Sequence, residues 1–241
     1  MEKVEWGWVV FGKPRQFDQW QRTWNSWCKG VQIINNKPGD QFGIAGSNEH
    51  FEFSGYRELL DAMETEGPFI IVNDTWFKTH NSVLWNRLLR LFLREKQHPN
   101  GICGDIRTEA SVFSEKPSPY LSSWIFYLPN RDCLVRFRRC LALAIQDAKG
   151  ANFTPEYMAY VEDWLSPKNR LYGWHIKSKE QAVMERKRRS IYMEHALNVR
   201  LMEEGFHLVS MGDNHQLLYR LLRLLDRLQT RLFAWGFYPF A

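Results

Sequence analysis

The sequence predicts an α/β fold in which a largely parallel, Rossmann-like central sheet is flanked by helices and followed by a C-terminal amphipathic helix. Short apolar runs alternate with segments of helical periodicity, which is typical of βαβ units. One run, Phe69-Ile70-Ile71-Val72, is apolar throughout, as expected of a parallel strand covered on both faces. Glycines and side-chain amides follow several of these runs, where sheets of this class bind ligands.

Local signals set the boundaries of the elements. The turn sequence Lys37-Pro38-Gly39-Asp40 closes the second strand, Ser54 is the expected N-cap of the next helix, and Gly67-Pro68 ends that helix. Hydrophobic periodicity predicts the remaining elements. The expected strands are residues 9–11, 31–36, 69–72, 102–106, 123–128 and 206–211, and the expected helices are 16–27, 56–64, 82–95, 134–148, 155–165, 191–204 and 216–233.

Composition limits the classes of protein that the chain can belong to. At 241 residues, with 44% hydrophobic and 24% charged residues, it is expected to be globular with a substantial core. The N-terminus lacks a signal-peptide pattern, and no apolar stretch is long enough to span a membrane. The four cysteines form no CxxC pair, which argues against a structural zinc site and favours free thiols in a cytoplasmic protein. The net charge of +5 indicates an anionic partner: nucleic acid, a membrane surface or a phosphorylated ligand.

The C-terminal segment differs from the rest of the chain. We expect residues 1–215 to form one domain and residues 216–241 to form a basic amphipathic helix with an aromatic tail. Such a helix can lie in a membrane interface, or it can pack its leucines on the domain and leave its arginines solvated. The leucines at helical spacing are Leu217, Leu221, Leu224, Leu225, Leu228 and Leu232, and the arginines are Arg220, Arg223, Arg227 and Arg231.

Polar residues at the strand ends form the first candidate site. Gly12, Asn35-Asn36 and Asn73-Asp74 all follow predicted strands, so a parallel sheet brings them to one edge. Amides there can hydrogen-bond a base or ribose, and Gly46 lets the backbone approach a phosphate. Asp74 is suited to a divalent ion that bridges two phosphates. A second interpretation stays open, in which Asn35 and Asn36 form a turn and Asp74 caps the turn that follows it.

Three of these segments resemble the inverting GT-A glycosyltransferases of the family-two type, which build bacterial surface polysaccharides. Residues 35–40, Asn-Asn-Lys-Pro-Gly-Asp, stand where that family has an Asp-Asn-x-Ser-x-Asp-like turn. Residues 41–48, Gln-Phe-Gly-Ile-Ala-Gly-Ser-Asn, are similar to its Asn-x-Gly-x-Ala-Gly-x-Asn loop apart from the first residue. Residues 72–75, Val-Asn-Asp-Thr, are similar to a strand end that often reads Asn-x-Asp-Thr. Val72 replaces the first acid of the usual Asp-x-Asp motif, which leaves Asp74 as the acidic ligand.

A fourth segment resembles the catalytic helix of the same family. That helix begins with the acidic residue that serves as general base, and Glu194 stands at this position, with Leu197, Arg200 and Gly205 at the other recognisable ones. A carboxylate near a helix N-terminus stays ionised more easily and can deprotonate an acceptor hydroxyl. The alternative is a solvent-facing glutamate in a charged first turn. Glu162-Asp163 matches the Glu-Asp pair of the family's catalytic-helix motif, but no Arg and Gly follow it at the expected distances. We therefore do not expect this pair to be catalytic.

The resemblance also implies a metal site. Many GT-A enzymes use a histidine near the chain end as a metal ligand, so Asp74 and His215 would hold Mg²⁺ or Mn²⁺. His215 could equally cap the terminal helix. Trp174 suits sugar stacking or packing. A basic cluster before the Glu194 helix suits a solvated loop, or a mobile lid that contacts the donor pyrophosphate or a lipid-linked diphosphate acceptor. It comprises Lys177, Lys179, Arg186, Lys187, Arg188 and Arg189.

The function implied by the resemblance is inverting transfer of a sugar by a GT-A fold. The donor would be a nucleotide-diphosphate sugar, with a UDP-sugar favoured, and the acceptor a glycan, expected on lipid at the cytoplasmic face of the inner membrane. The expected donor-binding residues are Gly12, Asn35, Asn36, Gly46, Asn48, Asn73 and Arg200, with Asp74 and His215 on the metal and Glu194 as base.

Two other interpretations stay open. A basic nucleic-acid-binding module would suit the pI near 9.0 and the many aromatic residues. No RRM, KH or zinc motif is visible, however, so we do not expect nucleic acid as a partner. The second is a catalytically degenerate glycosyltransferase that serves as a scaffold, which the loss of one metal-motif acid would suit.

Overall fold

The computed structural model describes residues 3–14, 16–77, 83–95, 100–107, 119–165 and 180–234. Within these ranges the strands are β1 (Val4–Val10), β2 (Cys28–Asn35), β3 (Ile44–Ala45), β4 (Phe69–Asn73), β5 (Gly101–Arg107), β6 (Tyr120–Leu128) and β7 (His207–Ser210). The α-helices are α1 (Phe17–Trp24), α2 (Glu52–Ala62), α3 (Val83–Arg94), α4 (Arg131–Gly150), α5 (Pro155–Leu165), α6 (Gln181–Glu203) and α7 (Gln216–Ala234). The predicted α/β class is confirmed.

The seven strands form one mixed sheet in the order β3-β2-β1-β4-β6-β5-β7. Strand β6 runs antiparallel to its neighbours β4 and β5, and every other pairing is parallel. The carboxyl ends of six strands therefore share one edge. The order reverses at β1, which has β2 on one side and β4 on the other, and such a reversal is where α/β sheets open a ligand crevice.

One face of the sheet packs on α2, α4 and α6. Alternate strand residues such as Val9 and Ile71 point to this face, where they meet Phe53, Leu59 and Phe137. Helix α5 lies outside this layer and packs on α6 through a smaller apolar cluster. Apolar side chains of helices cover this face and also the opposite face of the sheet. Strand β4 is therefore buried along its whole length, as its continuous apolar sequence predicts.

The opposite face is covered by α1, α3 and the first half of α7, and its core is rich in tryptophan. Trp6 and Trp8 of β1 point to this face, and the indole centroids of Trp8 and Trp20 lie 4.2 Å apart. The tryptophans of this layer are Trp6, Trp8, Trp20, Trp24, Trp27, Trp76, Trp85 and Trp124.

Several element boundaries differ from those expected. Helix α6 begins at Gln181, ten residues before the expected start, because the basic stretch that precedes Ile191 is helical although it carries no apolar stripe. Ser54 is not an N-cap: helix α2 begins at Glu52, and the Ser54 hydroxyl donates to the carbonyl of Phe51 inside its first turn. None of the described helices has the length and apolarity needed to cross a bilayer.

Candidate functional site

A cavity of about 410 Å³ opens at the sheet edge where β1 and β4 end, beside the reversal of strand order. This volume is typical of small-molecule sites. The strand ends, the loop before α2 and the first half of α6 all contribute to it. The lining residues are Val9, Val10, Phe11, Asn36, Asn48, Phe51, Glu52, Asn73, Asp74, Thr75, Arg186 and Lys187.

Asn35 and Gly12 hold the backbone beside this cavity and do not line it. The Oδ1 atom of Asn35 accepts hydrogen bonds from the backbone N–H groups of Gly12, at 2.8 Å, and Lys37, at 3.0 Å. Gly12 has a φ of +91°, a conformation that glycine adopts readily. The Asn35 side chain thus fixes the turn that leaves β1 against the turn that leaves β2, which is the turn-forming role left open by the sequence.

Asn36 does line the cavity, and Gly46 allows it to do so. The Nδ2 of Asn36 donates to the carbonyl of Phe51 at 2.9 Å, whereas its Oδ1 is buried with no hydrogen-bond partner among the described residues. A Cβ on Gly46 would collide with this Oδ1, and the Gly46 N–H donates to the carbonyl of Asn35 at 2.9 Å. The glycine therefore lets its loop pass close over the Asn36 amide.

The loop before α2 is strained at two positions that line the cavity. Asn48 has a φ of 50° and Phe51 a φ of 52°, and they are the non-glycine residues with positive φ in the described ranges. Asparagine tolerates this conformation, but phenylalanine does not, and such strain costs about 1–3 kcal/mol per residue. Strain of this kind is concentrated at ligand sites, which makes the cavity a candidate site.

Asn73 and Asp74 connect β4 to the neighbouring strand ends. Both carboxylate oxygens of Asp74 accept the backbone N–H of Phe11, at 3.1 and 3.2 Å. The Oδ1 of Asn73 accepts the N–H of Thr75 at 2.9 Å, and its Nδ2 donates to the carbonyl of Ser123 at 3.5 Å. Asp74 thus ties β4 to β1 across the point where the strand order reverses.

Two members of the basic cluster bring positive charge to the cavity. The guanidinium of Arg186 lies 4.2 Å from the ring centroid of Phe51 and donates to the carbonyl of Asn48 at 3.2 Å. The Lys187 ammonium lies 5.3 Å from the same ring, and Lys187 is only 6% exposed. The other two described members point elsewhere: Arg188 pairs with Glu162, and Arg189 donates to the carbonyl of Ala148. Trp174, Lys177 and Lys179 lie outside the described residues.

Glu194 lies in the interior of α6 and not at the helix N-terminus that the resemblance implied. Its Oε1 accepts the backbone N–H of Ser123 at 2.7 Å. The carbonyl of Ser123 in turn accepts the Tyr56 hydroxyl and the Asn73 amide. Burial and the charge of Glu52 raise the pKa of Tyr56 well above its ordinary value, so this phenol remains a donor. Glu194 does not itself line the cavity; this network joins it to Asn73, which does.

Arg200 and His215 lie away from the cavity. Arg200 makes two hydrogen bonds of 2.8 Å to the carboxylate of Asp147, and a third bond to Glu203. The Nε2 of His215 lies 2.7 Å from Oε1 of Glu95, at the end of α3. His215 follows β7, which is three strands from β4 and hence about 14 Å across the sheet. The structure therefore does not bring Asp74 and His215 together.

The described residues do not fit a three-ligand metal centre. Within the described ranges no three His, Cys, Asp or Glu side chains are grouped closely enough to hold a metal ion. Val72, which stands in place of the first metal-motif acid, is fully buried in β4. Asp74 is thus the one predicted metal ligand at the cavity.

Phe51 and Glu52 line the cavity without having been singled out in the sequence. Glu52 lies in the first turn of α2, and its Oε1 lies 3.4 Å from the hydroxyl of Ser190 on α6. Their position could not be read from local patterns, because it depends on the strained loop and on how α6 packs beside it. Comparisons with protein-family models, with curated proteins and with solved structures found no match to this chain.

Proposed function

We propose that this chain is an inverting glycosyltransferase of the GT-A type that uses a nucleotide-diphosphate sugar, with a UDP-sugar favoured. One observation carries the proposal: a cavity of ligand size lies where the strand order reverses, and both amides and cations line it. Crevices at this position of an α/β sheet are the usual place for nucleotides. The four sequence segments that resemble the family support the same interpretation.

The donor contacts follow from the polar atoms of the cavity. The Oδ1 of Asn36 is a buried acceptor for an N–H or O–H group of the base or ribose. The backbone around Asn48 and the ring of Phe51 surround the same space, and Arg186 and Lys187 bring charge to it. We therefore assign the nucleoside to the Asn36 side and the diphosphate to the α6 side.

The transfer step assigns Glu194 as base. An acceptor hydroxyl oxygen bonds to the anomeric carbon of the donor sugar while the bond from that carbon to the diphosphate oxygen breaks. Glu194 takes the hydroxyl proton on Oε2, and the nucleoside diphosphate leaves. The Ser123 N–H orients the carboxylate through Oε1. General base catalysis of this kind contributes about 10²–10⁴ in rate.

The acceptor is proposed to be a glycan carried on lipid at the cytoplasmic face of the inner membrane. Helix α7 supports this assignment because it exposes a row of leucines, with Leu217 at 86% and Leu224 at 52% exposure. Arg220 on the same helix is exposed as well. An apolar row beside basic residues suits an anionic lipid surface.

A thermal-shift titration tests the proposed function. UDP, GDP, CDP and dTDP are added to the full chain, with UMP and a single-stranded oligonucleotide for comparison. We expect one nucleoside diphosphate to stabilise the fold by about 2.7 kcal/mol at a concentration near 100 Kd. Asn36→Ala should abolish this effect, whereas Asn214→Ala, which loses only an exposed bond to Glu95, should not.

Two outcomes would contradict the proposal. If none of the nucleoside diphosphates stabilises the chain and the oligonucleotide does so in a salt-dependent manner, the protein is a nucleic-acid-binding module. If a nucleoside diphosphate binds but no UDP-, GDP-, CMP- or dTDP-sugar is consumed in the presence of bacterial glycolipid, the degenerate scaffold is favoured instead.

A further inference from the structure

We propose that Arg186 and Lys187 neutralise the donor diphosphate in the place that a divalent metal would otherwise take, so that donor binding needs no metal ion. The inference rests on the proposed function, because it concerns how the same cavity holds the same class of donor. It differs from the expectation of Mg²⁺ or Mn²⁺ drawn from the sequence.

The two cations are held in place before any ligand arrives. Phe51 lies beneath both of them, and Arg186 also donates to the carbonyl of Asn48. The Nε of Arg186 is buried with no hydrogen-bond partner among the described residues. Cation–π contacts are stronger when the groups are partly desolvated, and they limit the positions that the two side chains sample.

The chemistry of these cations suits a diphosphate. A nucleotide sugar carries about one negative charge per phosphate, so two cations match the charge of its diphosphate. The guanidinium fork of Arg186 can bind two phosphate oxygens at once, and Lys187 adds a compact point charge. Charge–charge attraction is also stronger at a partly buried site than in water.

The acidic residues of the cavity have other partners. Both oxygens of Asp74 accept the Phe11 N–H, so this carboxylate acts as a tie between β1 and β4. Glu52 faces the hydroxyl of Ser190. A metal ion would need further ligands beside Asp74, and Val72 and His215 do not supply them, as their positions show.

Isothermal titration of the full chain tests the inference. Four diphosphates, UDP, GDP, CDP and dTDP, are titrated with 1 equivalent or more of MnCl₂ and again with excess EDTA. For the one that binds, we expect the same Kd within about twofold in both buffers. Arg186→Gln and Lys187→Gln should each weaken binding by about tenfold or more, as expected for the loss of a charge-assisted contact.

Matched variants separate charge from fold. Arg188→Gln removes a neighbouring cation that pairs with Glu162 and should leave the Kd unchanged. Arg186→Lys keeps the charge but loses the second oxygen contact of the guanidinium fork, so it should bind more weakly than the wild type and more tightly than Arg186→Gln, which distinguishes loss of charge from damage to the fold. Asp74→Asn should also retain binding, because its Oδ1 still accepts the Phe11 N–H.

The outcomes distinguish this inference from the proposed function. Binding that weakens tenfold or more in EDTA, and in Asp74→Asn, would overturn the inference and leave the proposed function intact. An equal loss in Arg188→Gln would also overturn it, since the effect would then be nonspecific. No binding of any of the four diphosphates in either buffer would overturn both proposals.

Discussion

Glu194 is positioned by a strand, although it belongs to a helix. Its Oε1 accepts the N–H of Ser123, and the carbonyl of the same residue accepts from Tyr56 and Asn73. The N–H and the C=O of Ser123 in β6, which belong to adjacent peptide units, therefore connect Glu194 to a residue of the cavity. A carboxylate held in this way keeps one rotamer, and a base that keeps its position is what proton transfer requires.

Replacing Glu194 by Gln should lower kcat by a factor of about a hundred or more, because the amide cannot accept the acceptor proton. Its Oε1 can still accept the Ser123 N–H, so the Kd for the nucleoside diphosphate should change little. Turnover is measured with the donor and acceptor at saturation, and the Kd by calorimetry.

Two matched substitutions control this experiment. Glu162→Gln removes an exposed carboxylate that pairs with Arg188, so kcat should stay within about twofold of the wild type. Glu52→Gln removes the other glutamate at the site. If Glu52→Gln abolishes turnover while Glu194→Gln does not, the base lies in the cavity and the assignment of Glu194 is wrong.

For individual residues, the sequence predicts which polar side chains lie together at the strand ends. Asn36, Asn48, Asn73 and Asp74 all line the cavity, as expected from their positions after strands and in the glycine loop. What the sequence does not reveal is which polar atoms are committed to the backbone. The local sequence of Asn35 would also suit a residue that contacts a ligand. In the structure its Oδ1 instead accepts hydrogen bonds from two main-chain N–H groups, because these donors in the turns after β1 and β2 need a partner.

Helix α7 is attached to the sheet through one buried carboxylate. Asp105 of β5 is inaccessible to solvent, and it accepts hydrogen bonds from Tyr219, Trp124 and Arg223. Arg107 forms a further ion pair with it. Burial alone would raise the pKa of Asp105, but the charges of Arg107 and Arg223 and the hydrogen bonds from Tyr219 and Trp124 together outweigh it, so the pKa lies below its ordinary value.

Replacing Asp105 by Asn should lower the free energy of unfolding by about 3 kcal/mol, because it leaves two arginines without their buried partner. Urea titration measures the change. Asp61→Asn is the control, since Asp61 pairs with Arg138 at the surface and should matter by less than about 1 kcal/mol. An equal loss in both variants would show that the buried cluster does not anchor α7.

The cluster around Asp105 predicts that the folded state loses stability as the pH falls. Because the folded-state pKa of Asp105 is lowered, its stabilisation is present above the ordinary carboxyl pKa near 4 and is lost as the pH falls through the folded-state value. The wild type should therefore lose more stability than Asp105→Asn between about pH 5 and the folded-state pKa.

The sequence predicts some element boundaries well, but it does not predict the start of α6 or the direction of β6. The long amphipathic helices α3, α4 and α5 are predicted within a few residues, because each has an apolar stripe. The start of α6 is not predicted, because its first ten residues lack an apolar stripe. Several of them are charged residues whose side chains contact the cavity and α5. The antiparallel direction of β6 cannot be read from its uniformly buried sequence, since that pattern suits either direction.

Helix α7 packs one side against the core and exposes leucines on its other side. Leu222 and the ring of Tyr219 face the core, whereas the described leucines for which the sequence left a membrane interface and packing on the domain both open are exposed. Deleting the helix would therefore remove part of the core, and substitutions are the cleaner test. The exposed leucines with described side chains are Leu217, Leu221, Leu224, Leu225 and Leu228.

Replacing Leu217, Leu221, Leu224 and Leu228 together by Gln should reduce sedimentation with anionic phosphatidylglycerol liposomes by about tenfold or more. The physical reason is the loss of apolar area inserted below the headgroups. The melting temperature should stay close to that of the wild type, because these side chains are exposed. Activity towards a soluble acceptor should be retained as well.

Two apolar residues exposed elsewhere provide the control. Val135→Gln and Leu143→Gln on α4 should leave sedimentation unchanged. Binding should also weaken with salt, since about 1 kcal/mol per basic residue near the surface is electrostatic. Wild-type protein that stays in the supernatant at low salt would contradict membrane attachment.

The layer of indoles that fills one face of the sheet has an optical consequence. Trp6 and Trp24 have centroids 5.0 Å apart, and Trp76 and Trp124 are 5.9 Å apart, so excitation absorbed by one ring can pass to its neighbours. Apart from Trp164, the described tryptophans all lie on this face. Because Trp76 follows Asp74 by only two residues, we expect a ligand that shifts the end of β4 to change the ultraviolet emission of the protein, which a fluorescence titration without any label would measure.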